Sequence, residues 1–242
     1  MNNVARFLVL LFFSVAPFQA AQAAASLEVS PIRITLTKDT ALAAMTIHNR
    51  GTTDTVVQLR LVKWDQTGGK DQYADSDNLI ACPPIFSVAA GEEQVVRIAL
   101  GTRHDDWNRE GTYRLYIQEV PSPPDEDSGS QVQFAVRISI PVFLQPETVS
   151  QPPLSWKIIQ DGGLWATVEN SGNAHALVAG IRLVKDDEIF FEANTHQYIL
   201  PGSTMTWRLD TAEPFAARLP DSFEVMAATD QGIYQETLPA EK

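Results

Sequence analysis

The side chains of this 242-residue sequence that could do covalent or metal chemistry are few and scattered. Its histidines, His48, His104, His175 and His196, stand singly, and none has a second His, Cys or carboxylate at a recognisable ligand spacing. Isolated histidines of this kind read as solvated or capping groups. Cys82 is the only cysteine, so an internal disulfide is impossible and stability must come from packing. Nucleotide chemistry would call for GxGxxG or GxxxxGK(S/T), a metalloprotease for HExxH and an acyl-transfer enzyme for GxSxG, and none of these occurs. The acidic run PPDEDSGS (123–130) supplies carboxylates without the DxDxDG order of a calcium loop, and reads as a solvated, mobile segment. No catalytic residue, metal ligand or cofactor is expected, and the chain does not read as an enzyme.

What the sequence offers instead is a surface. In VQFAVRISIPVFL (132–144) every second residue is apolar: Val132, Phe134, Val136, Ile138, Ile140, Val142 and Leu144. In a strand these share one face, with Gln133, Ala135, Arg137 and Ser139 on the other. A core-facing strand would need such a stripe. This one is longer than the roughly five or six residues of an ordinary strand, and it contains Pro141, which cannot donate a ladder hydrogen bond. Pro141 therefore predicts an edge strand or a change of partner near the strand's end. An edge with an apolar face can recruit a strand from another protein.

The elements that would position this stripe are short strands. From Leu27 to Leu144, alternating apolar runs are separated by turn clusters such as NRGTTD (49–54), DQTGGKD (65–71) and AAGEE (89–93), and no stretch sustains a helical period. QPETVSQPP (145–153) breaks the pattern with three prolines and reads as a linker. A second series of seven short runs follows, from LSWKII to IYQETL. The expectation is an all-β protein of two antiparallel sandwiches, with no evident sequence repeat between its halves. At the amino terminus, Arg6, the apolar run FLVLLFFSVAPF (7–18) and the small residues AQAAAS describe a secretory signal cleaved after Ala23 or Ala25. Removal of residues 1–25 leaves no run of membrane length, so the mature chain is expected in an exported compartment without membrane insertion. A net charge of −12, one unit more negative once Arg6 is lost, opposes binding to nucleic acid.

Several segments carry a family likeness in their order and spacing. They are SPIRITL (30–36), TIHN (46–49), CPPIFSVAAGEEQVVRI (82–98), YRLYIQEVP (113–121) and VFLQP (142–146), followed by VENSGNAHALV (168–178) and YILPGSTMTWRL (198–209). The sequence resembles the periplasmic pilus chaperones, the PapD-like group of the chaperone-usher pathway. The resemblance implies two immunoglobulin-like β-sandwich domains set at an angle, residues 26–146 and 147–242, in the periplasm. It implies pilin or fimbrial subunits as clients and an outer-membrane usher as the receiver. Donor strand complementation would lend Val132, Phe134, Val136, Ile138 and Ile140 to a client that lacks a strand. No ATP or other cofactor is implied, and self-capping as a homodimer is left open.

In the resembled family a basic pair binds the client's carboxyl terminus. Arg33 aligns with the first member, and a guanidinium suits a carboxylate because two parallel N–H donors match two oxygens. The second is usually a lysine five residues before the proline that closes the strand, and counting back from Pro146 lands on Pro141. Either one arginine serves alone or another cation substitutes. Arg97 and Arg137 are the candidates, with Arg97 preferred, although each also reads as an outward solvated arginine. The missing lysine suggests a divergent, spore-coat-like or archaic branch. The rival reading is a secreted structural or adhesive module of the same fold without chaperone activity.

Overall fold

The computed structural model describes residues 26–101, 106–121, 134–150, 154–209 and 219–239. The expected signal, His104, Val132 and the acidic run at 123–130 lie outside the described residues.

Alternation and turn chemistry produce an all-β chain. In the first half the strands are β1 (Leu27–Ser30), β2 (Ile34–Leu36), β3 (Leu42–Asn49), β4 (Thr55–Thr67), β5 (Lys70–Asp75), β6 (Leu79–Cys82), β7 (Ile85–Val88), β8 (Glu93–Leu100), β9 (Gly111–Val120) and β10 (Arg137–Leu144). They form one sheet in the order β1-β3-β8-β6 and another in the order β2-β10-β9-β4-β5, with β7 also on β4. The inward residues of both sheets, among them Met45, Ile47, Val96, Ile98, Leu115, Ile117, Val142 and Leu144, make one core. The second half supplies β11 (Ser155–Gln160), β12 (Leu164–Asn170), β13 (Ala176–Lys185), β14 (Glu188–Ile199), β15 (Ser203–Arg208), β16 (Ser222–Thr229) and β17 (Gly232–Pro239). Sheets β11-β12-β15 and β14-β13-β16-β17 enclose a separate core around Ile158, Val168, Val178, Leu183, Phe223 and Val225.

Pro31 cannot continue a ladder, and the chain leaves β1 there to cross to the other sheet, where β2 lies parallel to β10. The pairing of β10 is asymmetric. Along its whole length, from Arg137↔Gln118 to Leu144↔Gly111, it is antiparallel to β9. Its other side meets β2 only from Val142↔Ile34 to Leu144↔Leu36. Between Arg137 and Pro141 that side has no partner strand among the described residues, so Pro141 stands where the partner changes. The Glu119 N–H donates to Val136 O at 2.9 Å, so the bonded and non-bonded pairs that alternate along an antiparallel ladder make Pro141–Arg114 a non-bonded pair. The N–H that proline lacks would have pointed away from β9, into the open side.

The sandwiches are stapled to each other by a third apolar cluster of Trp64, Phe143 and Leu200, with Tyr198 against it. Around this cluster Gln66 brackets β14: its Nε2 donates to Tyr198 O and its Oε1 accepts from Leu200 N–H, both at 2.9 Å. The Asn173 side chain donates to Asn108 O at 2.7 Å and to Thr148 O at 2.8 Å.

The two halves also share a device that no run of sequence identity announces. Asn49 closes β3 and Asn170 closes β12, each fully or almost fully buried. The carboxamide oxygen of each accepts from the glycine two residues on, Gly51 or Gly172, at 2.9 Å. Each amide group then donates twice, Asn49 to Thr53 O and Val88 O, Asn170 to Ala174 O and Ile199 O. A two-strand end and the turn after it are thereby fixed by one side chain. Replacing either Asn49 or Asn170 by Ala strands buried carbonyl groups and should cost about 2–3 kcal/mol of unfolding free energy. Denaturant titration checks this, and a loss below about 0.5 kcal/mol, the level of an ordinary surface substitution, would show that the amide is dispensable.

Candidate functional site

Strand alternation divides the stripe into two fates. Ile140, Val142 and Leu144 are buried in the first core, and Ile138 packs partly against it. Upstream the same face emerges from the sandwich: Val136 is half-buried and Phe134 is 88% exposed. Val136 is tethered at both backbone groups, its oxygen by the Glu119 N–H and its own N–H by the Glu119 carboxylate at 3.2 Å. That carboxylate also accepts from the Thr55 hydroxyl at 3.0 Å. The strand therefore enters the sheet at a fixed point and runs five residues, Arg137 to Pro141, with one open edge. Ile140 is buried in the core, and among the described residues of the stripe Phe134, Val136 and part of Ile138 are accessible.

The opposite face of the same strand looks toward the second sandwich. Cross-strand partners share a face, so Pro141 with Arg114 and Phe143 with Thr112 line it together. Phe143 is buried under the second domain, its ring stacked on His175 with centroids 3.8 Å apart. Arg114 lies over Trp64, its Cζ 3.7 Å from the ring centroid, and 5.5 Å from the ring of Tyr198. Its Nε is buried without a hydrogen-bond partner, and no carboxylate among the described residues reaches it. Cation–π contact with two rings holds a guanidinium in place but leaves the buried Nε–H unsatisfied.

Arg33 approaches from the other side. It immediately precedes Ile34, the β2 residue opposite Val142, and its Cζ is 5.9 Å from the Tyr198 ring. Two guanidinium groups thus flank one tyrosine where the open edge of β10 closes. Arg33 has a partner: its Nη1 is 3.6 Å from Asp230 Oδ2. A recess of about 260 Å³ is lined there by Arg33, Thr35, Glu110, Gln145, His175 and Asp230, among others.

The base of the recess is ionic and joins both domains. Glu110, buried, accepts from the His175 backbone N–H at 2.8 Å and has both oxygens 2.9 Å from the His175 Nδ1. On the far side of the ring, Nε2 faces Asp230 Oδ2 at 3.5 Å, too long for a full hydrogen bond, and has no other partner. Burial disfavours charge on this imidazole, but the two carboxylates outweigh it and hold the His175 pKa above the ordinary histidine value. Burial likewise opposes ionisation of Asp230, and His175, the Leu177 N–H and Arg33 together overcome it, holding its carboxyl below the ordinary range.

Arg33 is therefore at the cleft, whereas Arg97 is not beside it: it is exposed on β8, in the other sheet of the first sandwich, opposite Ala44 and Cys82. Arg137 lies over Tyr116 at 3.9 Å, further out along β10. Val132 lies outside the described residues. Sequence reasoning passed over Arg114, which alternation alone marks as one more outward residue of YRLYIQEV. Only the register that sets it opposite Pro141 distinguishes it. Nor is His175 the solvated or capping group expected of a lone histidine. Its carboxylate partners are 65 and 55 positions away in the chain, a separation that no local spacing reveals. Among the described residues no group of three or more His, Cys, Asp or Glu is arranged to hold a metal ion.

Comparison with known proteins fits this architecture. Residues 26–150 match the family model described as the pili and flagellar-assembly chaperone, PapD N-terminal domain. The chaperone protein LpfB of Salmonella typhimurium is 27% identical over 107 residues, a stretch that spans 43% of each chain, less than half of that relative's length. Among solved structures, a chain of the CsuC–CsuE chaperone–tip adhesion subunit pre-assembly complex, from the archaic chaperone-usher Csu pili of Acinetobacter baumannii, superposes with a TM-score of 0.65 at 25% identity. The match covers 89% of this chain and 98% of that one. The complex of SafA pilin with the SafB chaperone of Salmonella enterica gives a TM-score of 0.62 at 17% identity, over 88% and 96%. The fold is that of two immunoglobulin-like sandwiches, and with its first half matched end to end the chain belongs to the PapD-type family of pilus-assembly chaperones.

Proposed function

We propose that this protein is a periplasmic chaperone that holds pilin or fimbrial subunits by strand donation and delivers them to an outer-membrane usher. The observation that carries the reading is the half-open edge of β10, entered by exposed Phe134 and ended by Pro141 between two arginines.

The chemistry follows from that edge. A client strand added beside Arg137–Pro141 satisfies its backbone groups on the open side, while Phe134, Val136 and part of Ile138 enter the groove left by the client's missing strand. Two such side chains contribute roughly 1.5–3 kcal/mol each on burial. Ordering and association entropy offset part of this, so the hold is firm yet reversible. The visiting strand cannot continue past Pro141, which offers no donor, nor past Val142, whose edge β2 already occupies. Pairing of the visiting strand must therefore end there. A chain terminus ending at this point delivers its carboxylate between Arg33 and Arg114, and Arg114 fills the place that the absent lysine leaves. No nucleotide is needed, because a better-fitting strand from another subunit can displace the chaperone.

Phe134→Glu or Val136→Glu should abolish co-purification with a co-expressed strand-deficient pilin while leaving the thermal unfolding of the free chaperone nearly unchanged, since neither residue belongs to the core. Normal capture by the folded charged variants would remove the stripe from the mechanism. Arg33→Ala and Arg114→Ala should each weaken capture roughly 10- to 100-fold, the worth of a charge-assisted hydrogen bond. Arg97→Ala should leave capture as it was. Subunit affinity by titration calorimetry decides between these outcomes, and an Arg114→Ala variant with wild-type affinity would exclude it as an anchor.

A further inference from the structure

Arg33 is already engaged in the free protein, by a carboxylate that is itself contested. Asp230 spends Oδ1 on the Leu177 N–H at 2.9 Å. Its Oδ2 faces two cationic groups at almost equal range, Arg33 Nη1 at 3.6 Å and His175 Nε2 at 3.5 Å. Neither contact is a full hydrogen bond, so the oxygen stands between two competitors.

The state of the imidazole decides the competition. As a neutral ring, His175 has one proton, and the Glu110 oxygens at 2.9 Å claim it on Nδ1. Nε2 then turns a lone pair toward Oδ2, two acceptors face each other, and among the described residues Arg33 is the cation left to balance Asp230. In the imidazolium both nitrogens donate, Glu110 and Asp230 are both answered by His175, and Arg33 is released from sole charge of Asp230. The other groups packed on the ring are Phe143 from β10, Tyr198 from β14 with its ring centroid 5.5 Å away, and Gln231, whose side chain donates to His175 O at 3.3 Å. Among the described residues the fixed charges facing it are Glu110, Asp230 and, beyond Asp230, Arg33. Protonation takes this group from a net charge of minus one to neutral, which favours arrival of any further anion.

We propose that the protonation of His175 sets whether Asp230 or an incoming carboxylate holds Arg33, so that the cleft captures a chain terminus more strongly when the imidazole is charged than when it is neutral. The inference deepens the anchor reading above and rests on it for its biological meaning, whereas the switch itself is a property of the free protein.

Acetate serves as the probe because it carries only the carboxylate. The test titrates acetate into the purified protein at constant ionic strength and follows the Arg33 Nε–H resonance at pH about 6 and about 8.5. The wild type should bind roughly three- to tenfold more tightly at the lower pH, the effect of one partly screened charge. Asp230→Asn should bind at least as tightly as the wild type at low pH and with a clearly smaller pH dependence, since only the charge of the ring itself then changes, and His175→Gln should lose the pH dependence. Equal wild-type affinity at the two pH values would overturn the proposal, as would a full pH dependence retained in Asp230→Asn. No pilin is present, so failure of strand donation leaves this result standing, and failure of the switch leaves strand donation standing.

A second measurement guards against variants that fold poorly. Because the folded-state pKa of His175 is raised, its ion pairs add stability that is complete below the unfolded imidazole value near 6.5 and is lost as pH rises through the folded-state value. The wild-type Tm should therefore fall across that interval, and the slope should flatten in His175→Gln. A wild-type Tm that rose with pH there would contradict the arrangement.

Discussion

Everything in this molecule that bears on a partner depends on where β10 changes neighbours. One strand is antiparallel to β9 throughout but meets β2 only over its last three residues, Val142 to Leu144. Had β2 continued alongside Ile140 and Ile138, the sheet would be closed and no edge would remain. Had it not paired at all, the carboxyl-terminal half of β10 would lose its second neighbour and the first core its wall. Pro141 marks the boundary because it removes the one hydrogen-bond donor at the junction. The limit of the open edge is thus written into the backbone and does not depend on side-chain packing.

The same boundary resolves a conflict between folding and binding. A sandwich needs apolar residues at alternate positions, and a strand donor needs the same pattern facing outward. On the proposed reading the two demands are met in succession along one stripe: Ile140, Val142 and Leu144 are buried at home, while Phe134 and Val136 remain accessible. An exposed apolar edge is a liability for aggregation. Among the described residues the open length of β10 is only five residues, and the segment leading into it is pinned by Glu119, so the flat sticky surface is kept short.

Much of this was legible in the sequence, because alternation and turn chemistry are local. The stripe, its unusual length and the meaning of Pro141 followed from period-two patterning and from the missing donor of proline. The all-β architecture and the family likeness followed from the order of short segments. What escaped were pairings across long separations. Arg114 differs from the outward Arg97 only by its register opposite Pro141 and its place over Trp64. His175 reads as an isolated histidine until folding brings Glu110 and Asp230 to its two nitrogens. The paired Asn49 and Asn170 devices were equally hidden, since a motif of one asparagine and one glycine two positions later is too short to register as a repeat.

If β10 lends its edge as proposed, these non-local groups explain what the second domain adds to a task that one edge strand could perform alone. The edge and the exposed stripe belong to the first sandwich, but the groups that surround Arg33 and Arg114 come largely from the second: Tyr198 beside both, Asp230 against one, and His175 locked between Phe143 and two carboxylates. A cation pair on an open sheet face would be hydrated and would discriminate weakly between carboxylates. Tyr198 lies within 5.9 Å of the Arg33 Cζ and 5.5 Å of the Arg114 Cζ, so the second sandwich covers one side of both guanidinium groups. On the proposed reading the junction is a wall of the anchor site, and the buried Trp64–Phe143–Leu200 cluster that holds the sandwiches together supplies Trp64, the ring beneath Arg114.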